Sequence, residues 1–171
     1  MKIFYERMPK LIHTELQSQD LDTLTYKDIR NLSRNAPPTA SSPNRYWRNS
    51  NIKCYTSVKS SKEQFLLFND LEKNFVIFSC TTNLQFLSSI DVLYVDGTFR
   101  STRKFFHQLL TIHGLSNGHY KPLAFFLLAN KHQISYEDVL RHTVSEAAEL
   151  GVNVFPSTLY ADFETPVTKQ W

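Results

Sequence analysis

The sequence lacks the patterns of secreted, membrane-spanning and zinc-finger proteins. Its two cysteines, Cys54 and Cys80, have no C-x-x-C or Cys/His spacing, so neither a disulfide framework nor a zinc knuckle is predicted. The longest apolar run, Leu123 to Ala129, is far shorter than the roughly 20 residues of a membrane-spanning helix. Charged residues stand where a signal peptide needs apolar ones. We therefore expect a soluble protein of a reducing compartment, with no membrane partner.

A strong net charge is also missing. The formal charge is +3, but residues 1–60 carry ten Lys and Arg against five Asp and Glu. This local excess permits an anionic partner such as nucleic acid without requiring one. Hydrophobic residues at 42% and aromatic residues at 13% are enough to fill a core, so the composition is that of a folded chain.

Composition divides the chain into two parts. Residues 1–60 are predicted to be a basic helical segment with a linker. Helix is expected within residues 1–35, where Thr25 and Asp28 have capping-box spacing, and Pro37-Pro38 prevents its continuation. Residues 61–171 are predicted to form a compact α/β unit.

The second part alternates short apolar runs with turn and cap signals. Two runs around Asn69-Asp70 predict a hairpin, and Asn117-Gly118 predicts a second, tight hairpin. Apolar spacing predicts a helix that Ser135 caps and Gly151 ends. The predicted elements are strands at 65–68, 75–78, 92–95, 106–113, 120–128 and 158–161, and helices at 82–87 and 135–150. On the longer helix, the predicted buried face comprises Tyr136, Val139, Leu140, Val144, Ala147 and Ala148.

Two acidic residues each follow an apolar strand. Asp96 comes after Val92–Val95, which is expected to be buried on both faces, and Asp162 comes after Thr158–Ala161. The order of elements resembles the ribonuclease H-like fold, a mixed sheet in which these two strands lie side by side. Two carboxylates brought together at low polarity need a cation, because an unpaired buried charge is costly.

Several motifs together resemble the Mutator-like (MULE) transposase domain in order and spacing. They are Asp91 to Arg100, Phe106 to Gly114, Asn117 to Leu123, and Ala161-Asp162-Phe163-Glu164. The preceding segment resembles the stretch that, in animal members, lies between a FLYWCH zinc finger and the catalytic domain. The resemblance implies a ribonuclease H-like domain whose first strand is at residues 92–95 and whose fourth is at 158–161. The domain is here truncated after this fourth strand, which would leave that strand at the edge of the sheet.

The resemblance also implies a chemistry. Asp96 and Asp162 match two of the three acids that hold divalent metal, Mg²⁺ or Mn²⁺, during DNA strand cleavage and joining. The third acid, a glutamate, lies further downstream in the family than the nine residues that follow Asp162 here (171 − 162). DNA at transposon ends, a homo-oligomer of the full-length form and nuclear residence are implied too, although no dense Lys/Arg run marks an import signal.

Other interpretations stay open for these residues. The chain is either a transposase lacking its third acid, a non-catalytic DNA-binding or interaction module, or an inactive remnant. By itself, Asp96-Gly97 is typical of a turn. Arg100, Arg103 and Lys104 are candidates for DNA phosphate contacts, or form a solvated turn. His107 and His113 are expected on one side of their strand as structural residues rather than metal ligands.

Overall fold

The computed structural model describes residues 2–4, 63–70, 72–98 and 106–161. Seven strands and two helices lie in these ranges. The strands are β1 (Lys2–Phe4), β2 (Leu66–Asp70), β3 (Phe75–Phe78), β4 (Val92–Thr98), β5 (Gln108–Ser116), β6 (His119–Leu128) and β7 (Thr158–Ala161); the helices are α1 (Thr81–Ser88) and α2 (Gln133–Glu149). Neither helix is long and apolar enough to cross a membrane.

The strands form one mixed sheet in the order β1-β7-β4-β5-β6-β3-β2. The chain runs back and forth through β4, β5 and β6, then crosses over through α2 and returns in β7, parallel to β4. The hairpin β2–β3 extends the sheet by antiparallel pairing of β3 with β6. This architecture confirms the predicted α/β fold with a ribonuclease H-like mixed sheet.

The β5–β6 hairpin forms at the predicted turn. Asn117 and Gly118 have φ values of 53° and 78°, and Ser116 pairs directly with His119. Positive φ at both central positions matches the twist of the flanking strands, which is why Asn-Gly favours this turn. This turn sets the register of β5 against β6. Strand β4 pairs in turn with β5.

A bulge interrupts the same hairpin at Leu123. His113 pairs with Pro122 while Ile112 pairs with Ala124, so Leu123 has no partner on β5. A proline is tolerated next to this bulge because the ladder is already interrupted there, and the N–H that Pro122 lacks is not needed. Side chains supply the missing bonds: Ser79 Oγ and Asn83 Nδ2 donate to the Leu123 carbonyl at 2.8 and 3.1 Å.

The two faces of the sheet differ in what covers them. The first, which we call the helical face, contains Leu93 and Val95, packs against α1 and α2, and carries the larger core cluster. The second, which we call the Asp96 face, contains Tyr94 and Asp96, because side chains alternate along a strand. A smaller apolar cluster covers only part of this second face; it comprises Phe65, Val76, Phe78, Cys80, Phe106, Leu109, Phe125 and Leu127.

Helix α2 begins earlier than the sequence indicated. Its N-cap is His132 rather than Ser135, because the Asn130 side chain organises the first turn, accepting bonds from the His132 N–H and the Ser135 hydroxyl. Ala148 is exposed and Val144 half-buried, contrary to prediction. Asp138 is buried instead, where Lys73 Nζ approaches its carboxylate at 2.8 Å.

Strand β1 is the main departure from the predicted architecture. Lys2–Phe4 were expected within a helical region, but they form a strand parallel to β7, with Ile3 opposite Leu159. A local capping pattern such as that at residues 25–28 cannot indicate a pairing between residues so far apart in the sequence. The pairing provides hydrogen-bond partners for backbone groups of β7 that an edge strand would leave exposed. Strand β7, which was expected at the edge of the sheet, therefore lies between β1 and β4. The other calls for residues 1–60 lie outside the described residues.

Candidate functional site

Asp96 lies inside β4 rather than after its end. The strand continues to Thr98, with Asp96 opposite Thr111 and Gly97 opposite Leu110 on β5. The antiparallel ladder thus extends through Asp96-Gly97, and the turn interpretation of this dipeptide is wrong. Burial alternates along β4, with Leu93 and Val95 fully buried and Tyr94 and Asp96 half-buried, so the strand is not buried on both faces as expected.

Strand β7 pairs in parallel with β4 up to the residues that precede the two candidate aspartates. Val92, Leu93, Tyr94 and Val95 pair in parallel with Thr158, Leu159, Tyr160 and Ala161, respectively. Val95 and Ala161 are the residues that immediately precede the two candidate aspartates. Asp162 itself lies outside the described residues, as do Arg100, Arg103 and Lys104.

Asp96 stands at a boundary on its face of the sheet. Its partner Thr111 is also the partner of Phe125 on β6, and Phe125 belongs to the smaller apolar cluster. On the other side, towards the start of β4, the half-buried Tyr94 follows at the next position of the same face. The carboxylate is therefore flanked by closed apolar packing on one side and a more open aromatic surface on the other.

Three tyrosines form this aromatic surface, which we call the tyrosine cluster. The rings of Tyr94 and Tyr160 stack with centroids 5.1 Å apart and planes 11° apart. Tyr120 meets Tyr94 edge-on at 4.8 Å. Burial, followed by the neighbouring Tyr120 and Tyr160, raises the pKa of Tyr94 to about 12.

The tyrosine cluster was not anticipated from the sequence, although a signal for it exists. Tyr94-Val95-Asp96 and Tyr160-Ala161-Asp162 share the spacing Tyr-x-Asp. Two strands in parallel register with this spacing place their tyrosines side by side on one face. The same repeat supports the register in which the two aspartates would be neighbours.

The two candidate histidines have different surroundings. His113 is 2% exposed on β5, opposite Tyr94. His107 is exposed and precedes the start of β5 at Gln108, so the two do not share one environment along the strand.

The described residues contain no group of three or more His, Cys, Asp and Glu side chains arranged to hold a metal ion. Burial raises the pKa of Cys80 to about 11, so this thiol stays protonated and is a poor metal ligand. The Asp96 carboxylate is a hard oxygen donor of the kind that Mg²⁺ and Mn²⁺ accept. The donor chemistry at Asp96 therefore fits a divalent metal, with further oxygen ligands needed from outside the described residues.

Ribonuclease H-like proteins have a mixed α/β sheet with an acidic residue on one strand. A neighbouring parallel strand precedes a second acidic residue. Residues 92–169 match the family model of the MULE transposase domain, which confirms the family resemblance seen in the motifs. Both candidate aspartates lie within the matched residues. No significant match was found among curated proteins or among solved structures.

Proposed function

We propose that this chain derives from a DNA transposase and that Asp96 and Asp162 together hold a divalent metal ion, Mg²⁺ or Mn²⁺. The observation that carries the proposal is the parallel register of β4 and β7, which pairs Val95 with Ala161. Continuing that register by one residue would make the two aspartates neighbours on the Asp96 face. The family in general acts on DNA with divalent metal, which supports the same conclusion.

The residues of this chain would contribute binding and positioning. The two carboxylates, held on adjacent strands, would fix the cation from one side. Arg100, Arg103 and Lys104 follow β4 and would contact the DNA phosphates near the scissile bond. A metal held by these carboxylates would supply activation of a water or a 3′-hydroxyl and stabilisation of the leaving oxygen at phosphorus. Nuclear residence and assembly of a full-length form into homo-oligomers belong to the same proposal.

Asp96→Asn should weaken Mn²⁺ binding to the 171-residue chain at least about tenfold, because even the loss of a residue that only orients a metal ligand costs 10–100-fold. Asparagine keeps the size of the side chain and removes its charge. Isothermal titration with Mn²⁺ measures the change. Asp162→Asn should have a similar effect, and the double variant should lose little more, since two ligands of one ion are not additive.

Asp91→Asn is the matched control. Asp91 is exposed at the start of β4, and its backbone carbonyl, which the substitution retains, accepts the bonds from Ser157 and Thr158. This variant should bind Mn²⁺ like the unmodified chain. Unchanged Mn²⁺ binding in a folded Asp96→Asn variant would refute the metal site. Salt-dependent DNA binding without any metal-dependent effect of Asp96 would instead identify a non-catalytic DNA-binding module.

A further inference from the structure

The stack of Tyr94 on Tyr160 joins β4 to β7 just before the two candidate aspartates. The two residues are direct partners in the parallel ladder, and their ring centroids are 5.1 Å apart with planes 11° apart. This separation is close to the ~4.8 Å spacing of neighbouring strands, so the rings stack without spreading the strands. A slip of one residue would move one ring to the other face of the sheet, and the stack therefore favours a single register.

Each ring of the stack precedes a candidate aspartate by the same distance along its strand. Tyr94 comes two residues before Asp96, and Tyr160 comes two residues before Asp162. Side chains two residues apart on a strand lie on one face, about 7 Å from each other. Whatever fixes the two rings side by side therefore also fixes the starting points from which the two carboxylates project.

Strand β7 has few other side chains that could hold it on this face. It is four residues long, and its buried residues Leu159 and Ala161 belong to the core of the helical face. Alternation leaves Thr158 and Tyr160 for the Asp96 face, both half-buried. Two neighbouring carboxylates repel each other before a cation binds. An aromatic pair packed across the two strands opposes the spreading that this repulsion would cause.

A fixed separation between two carboxylates also discriminates between cations. Mg²⁺ needs near-ideal octahedral geometry with oxygens at about 2.0–2.1 Å, whereas Ca²⁺ accepts more ligands at about 2.3–2.6 Å in flexible arrangements. Mn²⁺ takes octahedral oxygen sites as Mg²⁺ does. Two ligands held rigidly side by side therefore favour Mg²⁺ and Mn²⁺ more than two ligands that can move apart.

We propose that Tyr94 and Tyr160 are positioning residues, whose stack holds the carboxylates of Asp96 and Asp162 at a separation that selects Mg²⁺ and Mn²⁺ over Ca²⁺. This role rests on the proposed function, since it takes the two aspartates as ligands of one cation. The rings act through the two strands and do not bind the metal. Tyr120 meets Tyr94 edge-on from β6, so it is outside the β4–β7 stack and does not contribute to the selection.

The experiment measures how strongly the 171-residue chain prefers Mn²⁺ to Ca²⁺, by isothermal titration with Mn²⁺ and by competition of Ca²⁺ against Mn²⁺. Tyr160→Leu should weaken Mn²⁺ binding about tenfold, the lower end of what a residue that orients a metal ligand contributes, and Ca²⁺ binding less than about threefold. Tyr160→Phe should retain both affinities, because phenylalanine keeps the ring. Tyr94→Leu removes the other ring of the stack and should have the same effect as Tyr160→Leu. The double variant should lose little more.

Tyr120→Leu is the matched control, because it removes a third half-buried tyrosine of the same cluster and leaves the stack in place. It should keep the preference for Mn²⁺. Circular dichroism verifies that each variant is folded at the temperature of the titration. A purely structural role would make Tyr160→Leu weaken Mn²⁺ and Ca²⁺ equally, and that result would overturn the proposal. An unchanged preference in Tyr160→Leu, or a reduced one in Tyr160→Phe or Tyr120→Leu, would overturn it too.

Asp96→Asn separates this test from that of the metal site. If Asp96→Asn weakens Mn²⁺ binding while Tyr160→Leu keeps the preference of the unmodified chain, the positioning role alone is overturned. If Asp96→Asn binds Mn²⁺ like the unmodified chain, the metal site is overturned and the positioning role with it. Weaker Mn²⁺ binding in Asp96→Asn together with a reduced preference in Tyr160→Leu would support both.

Discussion

Asp96→Asn should reduce metal-dependent DNA strand cleavage by about a thousandfold or more in a form of the protein that carries the third acid of the family. Metal ions contribute several kcal/mol to such reactions, and each ~1.4 kcal/mol corresponds to a factor of ten in rate. Asp96 is on a central strand, paired with β5 on one side and flanked by β7 on the other.

Cleavage of a labelled transposon-end duplex, followed in single turnover with Mg²⁺ and with Mn²⁺, measures this effect. DNA binding by Asp96→Asn should stay within about threefold of the unmodified protein, because phosphate contacts to Lys and Arg dominate affinity. Asp91→Asn should cleave at the unmodified rate. Normal cleavage by Asp96→Asn would remove Asp96 from the catalytic set.

Phe126→Ala should lower the free energy of unfolding by about 4 kcal/mol, the typical cost of truncating a buried phenylalanine. Phe126 is fully buried on the helical face of β6, with Leu110 and Ile77 as its partners on the two adjacent strands. The cavity would therefore open in the middle of the sheet. Domains of this size are stable by only about 5–15 kcal/mol, so a large share of the stability would be lost.

Urea denaturation followed by circular dichroism tests this expectation. Phe155→Ala makes the same substitution at an exposed position and should change the unfolding free energy by less than about 0.5 kcal/mol. A Phe126→Ala variant as stable as the Phe155→Ala variant would show that β6 is not central to the core.

Local signals predicted the strands that carry the candidate site. Asn117-Gly118 specified the β5–β6 hairpin because two consecutive positive φ values restrict the sequence strongly. Thr158–Ala161 was recognised as a strand with its observed bounds. The parallel pairing of β4 with β7 followed from the order of the elements, and that pairing places Val95 beside Ala161.

Features that depend on distant pairing could not be predicted in the same way. Asp96-Gly97 is a turn signal locally, and only the ladder with Thr111 and Leu110 makes it strand. The start of α2 was misassigned because Asn130, before the helix, organises the first turn in place of the expected cap at Ser135. The tyrosine cluster required the register of three strands before its members could be seen as neighbours.

The pairing of β1 with β7 also constrains how the protein can fold during synthesis. Lys2 and Thr158 are partners that lie 156 residues apart (158 − 2), so this pair cannot close until every residue between them has been synthesised. Contacts of such long sequence separation form slowly, because the loop entropy is lost before the contact stabilises anything. While the chain grows on the ribosome, the hairpins β2–β3 and β5–β6 can form early, but β1 has to wait for its partner. The edge of β7 that faces away from β4 is therefore among the last parts of the sheet to be covered.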